Sequence, residues 1–124
     1  MKNRYIDLIE QTFYYPQEGF ETKDGQLEFN GVPLMELVKE YGTPLRLSYL
    51  PKISSQIQKA KRIFNEAIKE NNYNGQYFYS YCTKASHFSF VVEEALKNDI
   101  HLETSSAFDI NIVETLMEEG KINK

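Results

Sequence analysis

Residues 76–86 read Gln76-Tyr77-Phe78-Tyr79-Ser80-Tyr81-Cys82-Thr83-Lys84-Ala85-Ser86, and the change of period at the end of this run decides the fold. Up to Cys82 it is dense in aromatic β-formers, as a strand is. Beyond it the period lengthens. Phe88, Val91, Val92, Ala95 and Leu96 recur at helical spacing, so a helix is expected, with Ser86 as its N-cap. Ile100 to Thr104 then reads as another strand. Phe108 to Glu119 reads as another helix, striped by Ile110, Val113, Leu116 and Met117 and closed by Gly120. Strands alternating with helices over short connections imply a parallel sheet with helices packed outside it.

Moving toward the N-terminus, the same alternation recurs once more. Pro51 opens a long helix with Ile53, Ile57, Ala60, Phe64 and Ala67 on one face, and Leu45, Leu47 and Tyr49 alternate as a strand before it. Residues 43–124 thus hold about three βα units. Residues 1–42 form an extension of a different kind. Tyr5 to Phe13 has the spacing of a short amphipathic helix, and Pro16 to Gly25 is a polar, breaker-rich connection. Asn30-Gly31 is the turn signal of a hairpin over Leu27 to Leu34, and Pro33 opens a helix ending at Gly42. A closed barrel of this kind has eight βα units in about 250 residues. The expected fold is therefore α/β: an incomplete (β/α)8 (TIM) barrel, with the chain as its front part and a helix and hairpin extension ahead. Three parallel strands alone would leave edges unpaired. The alternative is a small open three-layer α/β domain.

Composition narrows the function classes. The 124 residues are 41% hydrophobic and 26% charged, with nine Tyr, eight Phe and no Trp. A net charge of −4 argues against a nucleic-acid partner. Cys82 is the sole cysteine, so neither an intrachain disulfide nor a cysteine-based zinc site is expected. No apolar run reaches membrane-spanning length and the N-terminus lacks a signal peptide's hydrophobic stretch, so a cytoplasmic address is expected.

Chemistry in parallel α/β folds gathers beyond the carboxyl ends of strands. Thr83-Lys84-Ala85 and Glu103 to Ser106 stand there. Strand alternation would turn Ser80 and Cys82 inward with Lys84, leaving Tyr77, Tyr79 and Tyr81 against the helices. The small inward side chains leave room for a bound group. Just ahead of a helix N-terminus a cation is disfavoured by about 0.3–1 kcal/mol, and a neutral amine is what attacks a carbonyl. Glu103 would project beside Lys84. The plainer reading of the pair is a structural ion pair.

These residues resemble a known family. Tyr81-Cys82-Thr83-Lys84-Ala85-Ser86 is similar to the Tyr-Ala-Val-Lys-Ala-Asn signature of the pyridoxal-phosphate-dependent ornithine, diaminopimelate and arginine decarboxylases, whose barrel is alanine-racemase-like. Tyr41-Gly42-Thr43-Pro44-Leu45 looks like the family's Tyr-Gly-Thr-Pro-Leu opening. Glu103-Thr104-Ser105-Ser106-Ala107-Phe108-Asp109 is similar to its Asp-x-x-Ser-x-x-Glu segment. Together the three motifs cover about residues 41 to 120. The resemblance implies a pyridoxal 5'-phosphate cofactor, Lys84 as its internal aldimine, Glu103 as the acidic residue near this lysine and Cys82 as a small residue beside the cofactor. It implies decarboxylation of a small-molecule basic amino acid in polyamine biosynthesis, most similar to arginine going to agmatine, by a full-length homodimer. Diaminopimelate or carboxynorspermidine decarboxylation is the alternative, as is a non-catalytic homologue acting as a binding partner, or a simple cofactor carrier. Cys82, Thr83, Ser86, Glu103 and Asp109 all depart from the family's usual residues. The phosphate loop, the acidic partner of the pyridine nitrogen and the C-terminal β-domain of the family would lie beyond this stretch. The 124 residues alone are therefore expected to be inactive.

Other features have plainer readings. Ser86-His87 with Asp99 or Asp109 suggests a triad, but adjacent residues cannot make the nucleophile–base contact with the base oriented behind it. His101 is expected as a satisfied core histidine, and two histidines without clustered carboxylates argue against a metal site. The run Tyr77-Phe78-Tyr79 places rings on both strand faces, which suits packing better than base stacking.

Overall fold

The structure, a computed structural model, describes residues 18–122; the helix expected over Tyr5 to Phe13 lies outside them. The chain divides into two compact units between Leu47 and Ser48. It is a mixed α/β chain.

The first unit is an antiparallel meander and a helix. Strands β1 (Phe20–Lys23), β2 (Gln26–Phe29) and β3 (Val32–Pro33) pair in sequence order. Asn30 and Gly31 adopt φ of 49° and 77°, the doubly left-handed turn that a two-residue hairpin loop needs. Asp24 and Gly25, at 50° and 74°, do the same between β1 and β2. The register sets Phe20 opposite Phe29, and their ring centroids lie 4.7 Å apart. Phe20–Lys23 is a strand, not the connection that its polar sequence suggests. The telling signal is Asp24-Gly25, a hairpin dipeptide as strong as Asn30-Gly31. Helix α1 (Leu34–Tyr41) forms as expected, and Gly42, at φ 80°, donates its N–H to the Val38 carbonyl at 2.9 Å.

The second unit carries the parallel pair. Its elements are α2 (Leu50–Glu70), β4 (Ser80–Cys82), a 3-10 turn (Thr83–Ala85), α3 (Ser89–Leu96), β5 (His101–Glu103) and α4 (Ala107–Glu118). Strands β4 and β5 run parallel with α3 as the crossover, which is the expected βαβ unit. The expected strand over Leu45 to Tyr49 does not form. Its residues alternate, yet among the described residues no strand pairs with them, and alternation without a partner makes no ladder. Helix α3 also begins later than expected. Ser86 is extended rather than capping, and Phe88 stands at the N-cap without a side-chain bond to the helix.

Helices α2 and α3 pack on one another, and the buried apolar residues Ile57, Val91, Val92 and Ala95 belong to them; Leu116 of α4 is also buried. Burying a side chain of this size contributes roughly 1.5–3 kcal/mol. A polar latch joins the same two helices. Asn98, 6% exposed, donates its amide to Ser54 Oγ at 2.9 Å and to the Glu94 and Ala95 carbonyls at 3.0 and 3.2 Å. Its own Oδ1 accepts from Gln58 at 3.0 Å. Lys61 donates to the Asn98 and Asp99 carbonyls at 2.8 and 2.7 Å, so a cation of α2 sits at the negative end of α3. Ser54 donates to Glu94 at 2.5 Å, and Lys97 first, then Ser54, lowers the Glu94 carboxyl from its ordinary value.

Asn98→Ala removes this donor from the last turn of α3 and leaves Gln58 without its acceptor. It should lower unfolding stability by about 1–3 kcal/mol, read as a lower urea midpoint with unchanged slope.

Candidate functional site

The two strands present two unlike faces. On one, Tyr77, Tyr79 and Tyr81 are half-buried, and the Tyr77 ring stacks on Phe64 of α2 with centroids 4.2 Å apart and planes 11° from parallel. Leu102 of β5 is half-buried on this face too, paired with Tyr81. The other face carries Phe78, Ser80 and Cys82 beside His101 and Glu103. Cys82 and Glu103 lie on one face as the alternation predicts, paired in register. His101 is not buried by the described residues, as a core histidine would be. Among the described residues it is exposed, with Phe78 against it at 5.5 Å. The Phe78 ring itself is 63% exposed.

Lys84 stands two residues past the end of β4, in the middle of the 3-10 turn, and is exposed. It is not at the N-terminus of a helix, since α3 starts only at Ser89 and a helix dipole acts within its first turn. Among the described residues the side chains of Lys84 and Glu103 form neither an ion pair nor a hydrogen bond. The expected structural ion pair is therefore absent, and the amine stands unengaged at the carboxyl edge of the parallel pair. Cys82 is half-buried with a free thiol.

What shapes this edge is a pair of residues to which sequence reasoning assigns no role. Thr83, directly before Lys84, is 0% exposed. Its hydroxyl donates to the Glu103 carbonyl at 3.2 Å, joining the end of β4 to the end of β5. It also lies by the carboxylate of Asp109, which it helps keep ionised. Asp109 is the third residue of α4 and 6% exposed. One oxygen, Oδ2, accepts from the Ser105 amide at 2.9 Å, from the Ser105 hydroxyl at 3.1 Å and from the Ser106 hydroxyl at 3.0 Å. Ser106 in return caps α4 by accepting from the Asp109 N–H at 3.3 Å. The Ser105 amide foremost, then the Thr83, Ser106 and Ser105 hydroxyls, outweigh burial and hold the Asp109 carboxyl at about 2. Ser106-x-x-Asp109 is legible as a shortened capping box. Nothing in the sequence signals that Thr83, in the turn after β4, would bond to the Glu103 carbonyl just ahead of it.

The far side of the Lys84 turn is held as well. The Tyr81 hydroxyl, pushed up from its ordinary value by burial, donates to the Ser86 carbonyl at 3.0 Å. His87 belongs elsewhere: it lines a cavity of about 320 Å³ between α3 and α4, with Glu93, Glu119 and Lys121. Asp109 is engaged by Ser105 and Ser106, so the triad reading has no geometry behind it. Among the described residues no three His, Cys, Asp or Glu side chains converge as metal ligands, and no helix is long and apolar enough to cross a membrane.

No family model, no curated protein and no solved structure matches the chain, so the resemblance to the decarboxylases rests on its three motifs alone.

The Asp109 network has a pH signature. A carboxyl whose folded value lies below its ordinary 3.8 adds stability above that value and loses it as pH falls toward about 2. Asp109→Asn should therefore be less stable than the parent at pH 7. The gap between the two urea midpoints should close between pH 4 and about 2; parallel pH curves would contradict it.

Proposed function

We propose that this chain forms the opening βα units of a pyridoxal-phosphate-binding (β/α)8 barrel, and that Lys84 is the amine that holds the cofactor for decarboxylation of a basic amino acid. The observation that carries the reading is the exposed Lys84 amine, unengaged among the described residues, just beyond the carboxyl end of β4, where barrel chemistry is done. Three motifs in order, with Lys84 inside the second, point the same way. Arginine is the substrate that the resemblance favours. Homodimer assembly of the full-length protein and a cytoplasmic address belong to the same proposal.

The residues suit an aldehyde cofactor in part. Lys84 offers a primary amine that no described carboxylate engages, and Ser80 and Cys82 leave the adjoining face low. Glu103, on the neighbouring strand and equally unengaged among the described residues, would in this proposal orient the amine or take up its proton. The nearby hydroxyls do not suit a phosphate. Those of Thr83, Ser105 and Ser106 already serve the Glu103 carbonyl or the Asp109 carboxylate, and that negative charge would repel another. The donors for the phosphate are therefore assigned to other parts of the barrel. When bound, the cofactor supplies an electron sink for loss of carbon dioxide. The open face with Phe78, Ser80 and His101 is the barrel interior in this proposal.

The test is chemical. The protein carrying this chain, treated with pyridoxal phosphate and then borohydride, should yield a pyridoxyl group on Lys84 by peptide mass spectrometry. Lys84→Met should abolish that modification and carbon dioxide release from arginine. Modification at another lysine in place of Lys84 in the parent protein ends the proposal.

A further inference from the structure

We infer that Thr83 and Asp109 are positioning residues: a buried hydroxyl at the end of β4 and a buried carboxylate at the start of α4 together fix where Lys84 and Glu103 stand. The inference rests on the reading of Lys84 as the cofactor's amine, and it concerns residues that touch neither cofactor nor substrate.

The geometry asks for such a role. A helix start needs a cap, and Ser106 already provides one. The carboxylate of Asp109 does more than complete that cap. It reaches back to the amide and hydroxyl of Ser105, one residue before the cap and two after Glu103. Burying a charge is costly, and an exposed carboxylate would cap equally well, so capping alone does not account for it. Thr83 is equally telling. At 0% exposure an isosteric valine would fill its volume without a polar group to satisfy. The hydroxyl is explained by the bond it makes to the Glu103 carbonyl at the end of β5, while Asp109 holds the next stretch through the Ser105 amide.

The consequence falls on two side chains. Thr83 is the residue before Lys84, and the Tyr81 hydroxyl holds the Ser86 carbonyl two residues after it, so the turn is gripped on both sides. Glu103 is gripped in the same way, by its carbonyl through Thr83 and through the Ser105 amide held by Asp109. The lysine and the acid are exposed and not paired with one another, yet their backbones are pinned to one buried knot. A reactive amine needs a fixed origin and a free tip, and this arrangement provides both.

The probe is pyridoxal phosphate, trapped with borohydride, with label on Lys84 compared with label on the exposed helix lysines Lys59 and Lys69 in one digest. Thr83→Val should cut the Lys84-to-helix ratio about fivefold or more, and Thr83→Ser should restore it to within about twofold of the parent. Asp109→Asn, an isosteric change, should lower the ratio as Thr83→Val does and serves if the valine variant does not fold. A folded Thr83→Val or Asp109→Asn protein with the parent's ratio overturns the inference. If the parent shows no preference for Lys84, the proposed function falls instead, and amide exchange decides the positioning. Exchange over residues 84–86 should then quicken about tenfold in Thr83→Val and revert in Thr83→Ser, with α2 unchanged; unaltered exchange overturns it.

Discussion

A hydroxyl shut away from water must find a partner or cost about 1–3 kcal/mol. Thr83 meets that demand where β4 ends, by donating to the carbonyl of Glu103 where β5 ends. Each strand is three residues long, and so short a parallel ladder holds little by itself. The bond from Thr83 adds a tie at the end of the ladder, and Asp109 ties Ser105, two residues after Glu103, to the first turn of α4. The turn bearing Lys84, the end of β5 and the start of α4 are consequently set by one another. On the far side of α3 the Asn98 latch works by the same rule, since buried polar groups are supplied from α2 rather than left to solvent. The unit is therefore secured at both ends of its crossover helix by polar groups, with the apolar pack of Ile57, Val91, Val92 and Ala95 nearby.

The unequal faces of β4 and β5 bear on the proposed barrel. Parallel sheets occur with both faces covered, because each crossover lays a helix on the sheet. Here the tyrosine side has its helix, as the stack of Tyr77 on Phe64 shows, and the Phe78 side has none among the described residues. A ring as exposed as Phe78 beside Ser80 and His101 is a poor solvent face and a reasonable interior one. The proposed barrel would supply its cover and make Lys84 a group on the rim of a closed space.

Much of this is legible in periodicity. The spans of α1, α2 and α4, the crossover helix, the parallel order of β4 and β5 and the faces of Tyr77 to Cys82 all follow from counting apolar positions. The departures have separate causes. Leu45 to Tyr49 alternates well, but a strand is a property of a pair, and alternation does not name a partner. Ser86 has the chemistry of an N-cap, yet its carbonyl is claimed by Tyr81 and the helix begins three residues on. Asp24-Gly25 is readable as a turn, but its polar surroundings mask the strands on either side. Whether His101 is a core residue depends on what covers the sheet, which no local pattern reports. Thr83 and Asp109 are invisible as a pair because twenty-five residues of chain lie between two groups that only the βαβ topology brings to one edge.

The structure also changes why Lys84 suits its proposed task. A helix N-terminus behind the amine would have acted through its dipole, but a 3-10 turn and an extended Ser86 intervene before α3. What distinguishes Lys84 is presentation. A lysine locked in an ion pair would have to lose that partner before attacking a carbonyl, and its backbone position would be set by the pair. Lys84 has neither burden: its place is fixed through Thr83 and Tyr81, and no described residue engages its amine. Glu103, across the register from Cys82, is anchored by the same knot and is likewise unengaged among the described residues. In the proposed reading, an acid and an amine near one edge that do not neutralise each other leave room for a third group between them. On the same reading, the buried Thr83 hydroxyl and the buried Asp109 carboxylate set where both stand.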